Sequence, residues 1–312
     1  MLRSWRRRSP AEPGKDSAPG FLRVLLRCFI RPGSPLQTSM VLGALMAATD
    51  PVSVLSIFKS MGLNQRLSII VEGESLANDG VAVVLFKIAL VTAVLTWSSV
   101  LGGSFEFLKV ILGGMAVGAA CGYAASKVTA GIDNYLVEIG LSIVLFYGAF
   151  EIAELFHFSG VIAVVLAGLI LGTYGRRIGM SPLTHEKMDS FWETIAFIAN
   201  ALIFLMVGLE VANISFTDKW VPISNSILIV LAARLIAVYA ALVPCRDVPA
   251  AWKPIIAWGG LKGSLSIALL LGVTPDFEGR ELLLAMTFSN VVFSLLVQGT
   301  TLKKLVSKLR VV

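Results

Sequence analysis

The chain has 312 residues, 56% hydrophobic and 15% charged, with a mean hydropathy of +0.82. Soluble domains carry about 25% charged residues, so the balance excludes an ordinary soluble enzyme or binding module. The net charge of +6 sits mostly in the N-terminal segment and beside apolar runs, which is a membrane-flanking pattern and not a nucleic-acid one.

Residues 1–34 form a basic tail carrying Arg3, Arg6, Arg7, Arg8, Lys15, Arg23, Arg27 and Arg31. Its apolar stretch 21–30 is broken by Arg23 and Arg27, so it is too short and too charged for a span or a signal sequence. A basic interfacial helix and a disordered arm are both compatible with it. Nine apolar spans follow, at 36–57, 66–96, 105–127, 134–156, 158–174, 190–211, 222–243, 254–273 and 282–300. The fourth and fifth are joined tightly around His157. Continuous rather than alternating apolar runs mean helices and not a barrel. The fold class is an all-α polytopic membrane protein.

Lysine and arginine orient it. One set of loops carries Lys59, Arg66, Lys127, Arg176, Arg177, Lys187, Arg246, Lys253, Lys303, Lys304, Lys308 and Arg310; the opposite set carries Lys109, Lys219 and Arg280. The richer set, with the C-terminus, belongs in the cytoplasm. Nine spans then put the basic tail on the outer side, against the rule. The conflict resolves if the span count is off by one or, the reading favoured here, if the tail is not the native entry to the first helix. Asn213-Ile-Ser215 is a glycosylation sequon on the predicted outer side.

Four stretches interrupt the apolar pattern. Residues 72–80, Glu-Gly-Glu-Ser-Leu-Ala-Asn-Asp-Gly, lie between Leu67-Ser-Ile-Ile-Val71 and Val81-Ala-Val-Val-Leu-Phe86. A carboxylate in hydrocarbon is costly and marks a functional site by default. On a helix Glu74 and Asn78 share one face, Ser75 and Asp79 the next. Carboxylate, hydroxyl and amide oxygens so grouped suit a hard cation such as Na+, or a proton at Asp79. A polar clamp between helices is the plainer alternative, and Glu72, nearer the start of the run, fits it better.

Ala47-Ala-Thr-Asp-Pro-Val-Ser53 breaks the first span, because Pro51 removes an amide donor and clashes with the preceding turn. Thr49 and Asp50 then sit at freed backbone groups and half-helix ends, which can serve as ligands, or they simply cap a proline kink. Ala257-Trp-Gly-Gly-Leu-Lys-Gly-Ser264 breaks the eighth span. Gly259 and Gly260 permit unwinding or close crossing. Lys262 can neutralise the negative end of a half-helix, or snorkel from a glycine packing face. Arg234, deep within 228–243, needs an acidic partner, and Glu74 is the one chosen, since Asp79 must stay free to exchange ligands. Lys87, Glu138, Glu151, Glu193 and Glu210 are assigned to helix ends and packing.

Other chemistries find little support. Cys28, Cys121 and Cys245 lack paired spacing, and two histidines, His157 and His185, cannot make a His-rich metal site. An intramembrane hydrolase using Ser264 or Ser75 would need a histidine base, yet both histidines lie at span ends. The chain is read as no enzyme, without a resident cofactor or nucleic-acid partner.

Thr49-Asp-Pro-Val52, Gly73-Glu-Ser-Leu-Ala-Asn-Asp-Gly80, Phe204-Leu-Met-Val-Gly-Leu-Glu210, Arg234-Leu-Ile-Ala-Val-Tyr239, Trp258-Gly-Gly-Leu-Lys-Gly263 and Val297-Gln-Gly-Thr300 occur in this order. Together they resemble the monovalent cation/proton antiporter family that includes the sodium/proton exchangers, from about residue 36 to the C-terminus. The resemblance implies Na+ (or Li+ or K+) exchanged for H+ by alternating access, in an inverted-repeat core whose two broken helices, around Asp50-Pro51 and Gly259-Gly260, cross near the midplane. Asp79 would bind cation and proton alternately, Asn78 and Ser75 would support it, Thr49 and Asp50 would lie beside it, and Glu74 would pair with Arg234. Asn before Asp is the pattern of the electroneutral branch. The core would comprise about 35–96 and 222–300, and interface or linker helices about 105–211, in a dimer set in a plasma membrane bilayer. Two departures stand out. Lys262 stands where many members have Arg, which keeps the charge and loses the fork. Nine spans answer to the last nine of about thirteen, so four helices are expected to be missing and the tail to reflect a truncated or mis-started frame. A truncated or degenerate chain that does not transport is the alternative.

Overall fold

A computed structural model describes residues 36–91, 97–212, 216–245, 247–277 and 279–309. The basic tail, the sequon at 213–215, Arg246 and Arg310 lie outside the described residues. All regular structure among the described residues is helical.

The first predicted span is two half-helices, α1 (Leu36–Leu45) and α2 (Pro51–Ser60). Pro51 cannot continue α1, but it is well suited to the first position of α2. The Asp50 carboxylate caps α2, accepting from Val52 N at 3.0 Å and Ser53 Oγ at 2.9 Å. α3 (Gln65–Val91) carries the 72–80 motif, and α4 (Trp97–Thr129) follows. α5 (Tyr135–Leu155) is capped by Asn134, and α6 (Gly160–Ile170) by Ser159. Between them His157 takes φ 58°, a left-handed conformation that lets the chain reverse within four residues. α6 runs on through a π-helical turn, Leu171–Gly175, to Ile178. α7 (Pro182–Val211) starts eight residues ahead of the predicted span, at a Ser181 cap followed by Pro182.

α8 is Trp220–Ala241. The eighth span is again two pieces, α9 (Trp252–Trp258) and α10 (Ser264–Leu271), separated by the glycine-rich break. α11 (Arg280–Phe293) passes through a second π-helical turn, Ser294–Gly299, into α12 (Thr300–Lys308).

Among the described residues six helices are long and apolar enough to cross a membrane: Gly103–Thr129, Tyr135–Leu155, Gly160–Ile178, Pro182–Val211, Trp220–Ala241 and Arg280–Lys308. The other three predicted spans are the two broken ones and α3, which is interrupted by Glu72, Glu74, Asp79 and Lys87. The segments that look least like ordinary spans are therefore the ones that carry the polar motifs.

Two apolar clusters bracket those motifs. One joins Val41 and Leu45 of α1 to Phe86 and Ala89 of α3, Ile223 of α8 and Leu283 of α11. The other joins Phe58 of α2 to Leu67 and Val71 of α3, Val238 of α8, Ile255 of α9 and Leu302 of α12. α4 and α6 pack differently, backbone against backbone. A Cβ on Gly118 would lie 2.3 Å from the Ala163 carbonyl oxygen, and one on Gly122 2.8 Å from that of Ala167.

Candidate ion site

The polar layer between the apolar clusters is built where the two broken helices meet. The Asp50 N–H donates to the Leu261 carbonyl at 2.7 Å, joining one break to the other. Gly263 permits this approach, because a Cβ there would come within 2.5 Å of Asp50 Cβ. Lys262 is 5% exposed, and its Nζ donates to the carbonyl of Met46 at 2.5 Å and of Ala48 at 3.4 Å, just beyond the C-terminal end of α1. The buried Lys262 amino group thus faces carbonyls that the break leaves without helical partners. Lys262 N is held in turn by Ser294 Oγ at 2.6 Å, and Ser266 Oγ reaches the Leu45 carbonyl at 2.7 Å.

Asp79 enters this layer from α3. Its Oδ1 accepts from the Thr49 N–H at 3.0 Å. One turn earlier, Ser75 Oγ accepts from Thr49 Oγ1 at 2.9 Å and donates to the Thr49 carbonyl at 2.6 Å. Thr49 is therefore gripped by both members of the Ser75/Asp79 pair, through its amide, carbonyl and hydroxyl. The Asp79 carboxylate, two hydroxyls and the breaks' carbonyls make an oxygen-rich setting of the kind hard cations prefer. Among the described residues no three His, Cys, Asp or Glu side chains converge.

The neighbouring face of α3 makes a second cluster. Arg234 Nη2 donates to Glu74 Oε2 at 2.6 Å, and Nη1 donates to Oε1, a two-pronged pair across 160 residues of sequence. Arg234 also reaches the Ile256 carbonyl at 3.2 Å and lies against Gly260, where a Cβ would be 2.4 Å from Nε. The Asn78 amide nitrogen donates to Glu74 Oε1, one turn back on α3. Expected beside Asp79, Asn78 has its amide nitrogen in the Glu74–Arg234 cluster, as the four-residue spacing with Glu74 allows. The Asp50 carboxylate is turned to the N-terminus of its own half-helix, the capping alternative that the proline break offered. Glu72 is exposed.

Several polar groups carried no assigned role in the sequence, Gln298 standing there only within the 297–300 motif. Thr287, Asn290, Ser294 and Gln298, each no more than 4% exposed, line one side of α11 and its π-helical turn. Asn290 bonds Ser226 of α8 at 2.8 Å, and Gln298 bonds the Trp258 carbonyl at 3.2 Å. Polar residues three and four apart in an apolar span are a helical-face signal that would have found them. Asn200 of α7 accepts from Ser264, the first residue of α10. Glu138, 1% exposed, accepts from Thr184 Oγ1 at 3.0 Å and joins α5 to α7, a packing role for a charge assigned to packing.

The sequence model of the sodium/hydrogen exchanger transmembrane family matches residues 18–308, reaching upstream of the start read from the motifs. The chain belongs to the sodium/hydrogen exchanger family. It is 51% identical over 279 residues to the Na+/H+ antiporter NhaH of Halobacillus aidingensis, covering 88% of this chain and 69% of that one. It is 52% identical over 280 residues to the Na+/H+ antiporter NhaG of Bacillus atrophaeus, again 88% of this chain but 53% of the relative. The structure of the sodium proton antiporter MjNhaP1 from Methanocaldococcus jannaschii superposes with a TM-score of 0.67 at 18% identity, covering 93% of this chain and 80% of that one, which shows the shared antiporter fold. The exchanger chain is accordingly an integral membrane protein with an all-α antiporter architecture.

Proposed function

We propose that this exchanger moves Na+ against H+ by alternating access, with Asp79 as the carboxylate that carries one or the other. Sodium/proton exchange is the transport that membership of its family carries. The observation that supports Asp79 is its bond to the Thr49 amide at the break between α1 and α2, where half-helix ends converge and carbonyls without helical partners are held by side chains. Coupling then needs little more. One carboxylate holds a proton or a sodium ion, never both. If the loaded forms cross and the empty anion does not, each ion moves only in exchange for the other.

In this reading Ser75 and Thr49 shape the cation site, Asp50 and Pro51 fix the first break, and Gly259, Gly260 and Lys262 fix the second. Glu74 and Arg234 brace the layer without carrying ions, with Asn78 on their side. The core of α1–α3 and α8–α12 works against a scaffold of α4–α7. The richer basic set of loops and the C-terminus face the cytoplasm of a plasma membrane, and no covalent chemistry is involved.

In proteoliposomes an imposed Na+ gradient is expected to drive proton movement that Asp79→Asn abolishes, while Glu72→Gln keeps most of it. Exchange that survives Asp79→Asn would overturn the site assignment.

A further inference from the structure

The ion pairs of this molecule are unevenly distributed. Among the described residues, Arg234–Glu74 and Lys219–Glu281 lie within the proposed core, and Arg176–Asp189 and Lys109–Glu106 lie within the scaffold. Two pairs join core to scaffold. Lys87 of α3 meets Glu154 of α5 at 2.6 Å and 2.9 Å, and Arg280 of α11 meets Glu210 of α7 at 2.9 Å. Both stand on one side of the ion site. Lys87 is eight residues beyond Asp79, about 12 Å along the helix at 1.5 Å per residue. Its neighbours Phe86 and Ala89 share an apolar cluster with Leu283 and Leu284, one turn from Arg280. The cluster on the opposite side, around Phe58, Leu67 and Leu302, has no core-to-scaffold ion pair beside it among the described residues.

Exposed ion pairs are often worth little, because two long side chains must be ordered to make them. Here the ordering is largely supplied by other contacts. Glu154 Oε1 also accepts the Gly160 N–H at 3.2 Å, at the start of α6. Arg280 Nε is anchored on the Val273 carbonyl at 3.1 Å. Between Asp79 and Lys87 the same seam is tight, since a Cβ on Gly80 would come within 3.1 Å of Ile162 Cγ1 of α6.

We infer that Lys87–Glu154 and Arg280–Glu210 form a one-sided clasp that holds core against scaffold on the outer side, and that both pairs must part before the ion site opens there. This rests on the proposed motion of core against scaffold. A ligand-free two-state equilibrium is set by contacts present in one state and absent in the other. Removing the clasp should therefore populate the outward-open state without touching the site.

The experiment uses Ile162→Cys in a chain whose Cys28, Cys121 and Cys245 are serine, with a membrane-impermeant maleimide added from the outer side. Lys87→Met combined with Glu210→Gln is expected to raise the labelling rate about five- to tenfold, the size of two modest ion pairs. Each single change should give part of this. Independently, Lys87→Cys with Glu154→Cys is joined by a cleavable bifunctional thiol reagent, which should stop exchange until reduction restores it. Unchanged labelling, or exchange at the full rate in the cross-linked protein, would overturn the clasp. The labelling arm needs no transport. A rise in labelling together with exchange that survives Asp79→Asn would keep the clasp and remove the site assignment.

Discussion

Two regions of this molecule solve the problem of joining helices in lipid by opposite means. α4 and α6 meet through glycine and alanine, with Gly114, Gly118 and Gly122 at four-residue spacing set against the backbone of Ser159, Ala163 and Ala167. Nothing there is charged, and close approach of the backbones does the work. Around the crossing, α3, α8 and the broken helices meet through Glu74, Arg234, Lys262, Asp79 and Thr49. The first arrangement tolerates no extra atom. The second tolerates no missing partner. A scaffold needs one fixed geometry, whereas a layer that exchanges ions needs polar groups that can be satisfied in more than one way.

The largest effect should come from removing one half of the half-buried Arg234–Glu74 pair. Arg234→Ala leaves Glu74 with Asn78 as its remaining side-chain partner in a layer where Arg234 and Glu74 side chains are 12% and 27% exposed. Breaking a fully buried pair in this way costs about 3–5 kcal/mol, which is the upper bound for this half-buried one. The joint replacement Glu74→Gln with Arg234→Met should cost clearly less, because no charge is stranded. Unfolding by SDS in mixed micelles measures both, and equal losses would mean that the pair braces nothing.

The scaffold should break in the other sense. Gly118→Val forces side-chain atoms into the Ala163 carbonyl, where even a Cβ would stand at 2.3 Å. Overpacking of this kind costs about 1–3 kcal/mol. The same unfolding assay reads it, and stability unchanged from the parent would show that α4 and α6 can slide apart freely.

These contrasts also explain what could be read from the sequence. The two breaks were legible because their causes are local: Pro51 ends a helix wherever it stands, and glycines at 259, 260 and 263 leave little to hold one together. The cost of a deep arginine matches Arg234 to Glu74 on paper, and the two side chains meet in the structure although 160 residues separate them. The four-residue spacing already put Asn78 on the face of Glu74, but where Glu74 itself turns is fixed only by the position of Arg234. The early start of α7 at Pro182 follows from a Ser-Pro cap that an apolar window overlooks. Glycines 114, 118 and 122 show a packing face but not its partner, which depends on how α5 and α6 turn back at His157. The π-helical turns at Leu171–Gly175 and Ser294–Gly299 leave no composition signal in an apolar span.

The smallest effect separates glycines that are required from those that are merely present. Gly73 sits inside the 72–80 motif, beside Glu74, so the motif alone would rank it with Gly118. Its surroundings say otherwise. It lies within α3, and a Cβ there would have no heavy atom within 4 Å. An alanine would therefore meet nothing, while restricting the unfolded chain and favouring helix by about 0.5–1 kcal/mol. Gly73→Ala is expected to raise resistance to SDS slightly and to leave the sodium dependence of exchange where it was. A loss of exchange with stability retained would mean that α3 must flex at Gly73 during transport, and the polar layer would then owe its mobility to this glycine as well as to the two breaks.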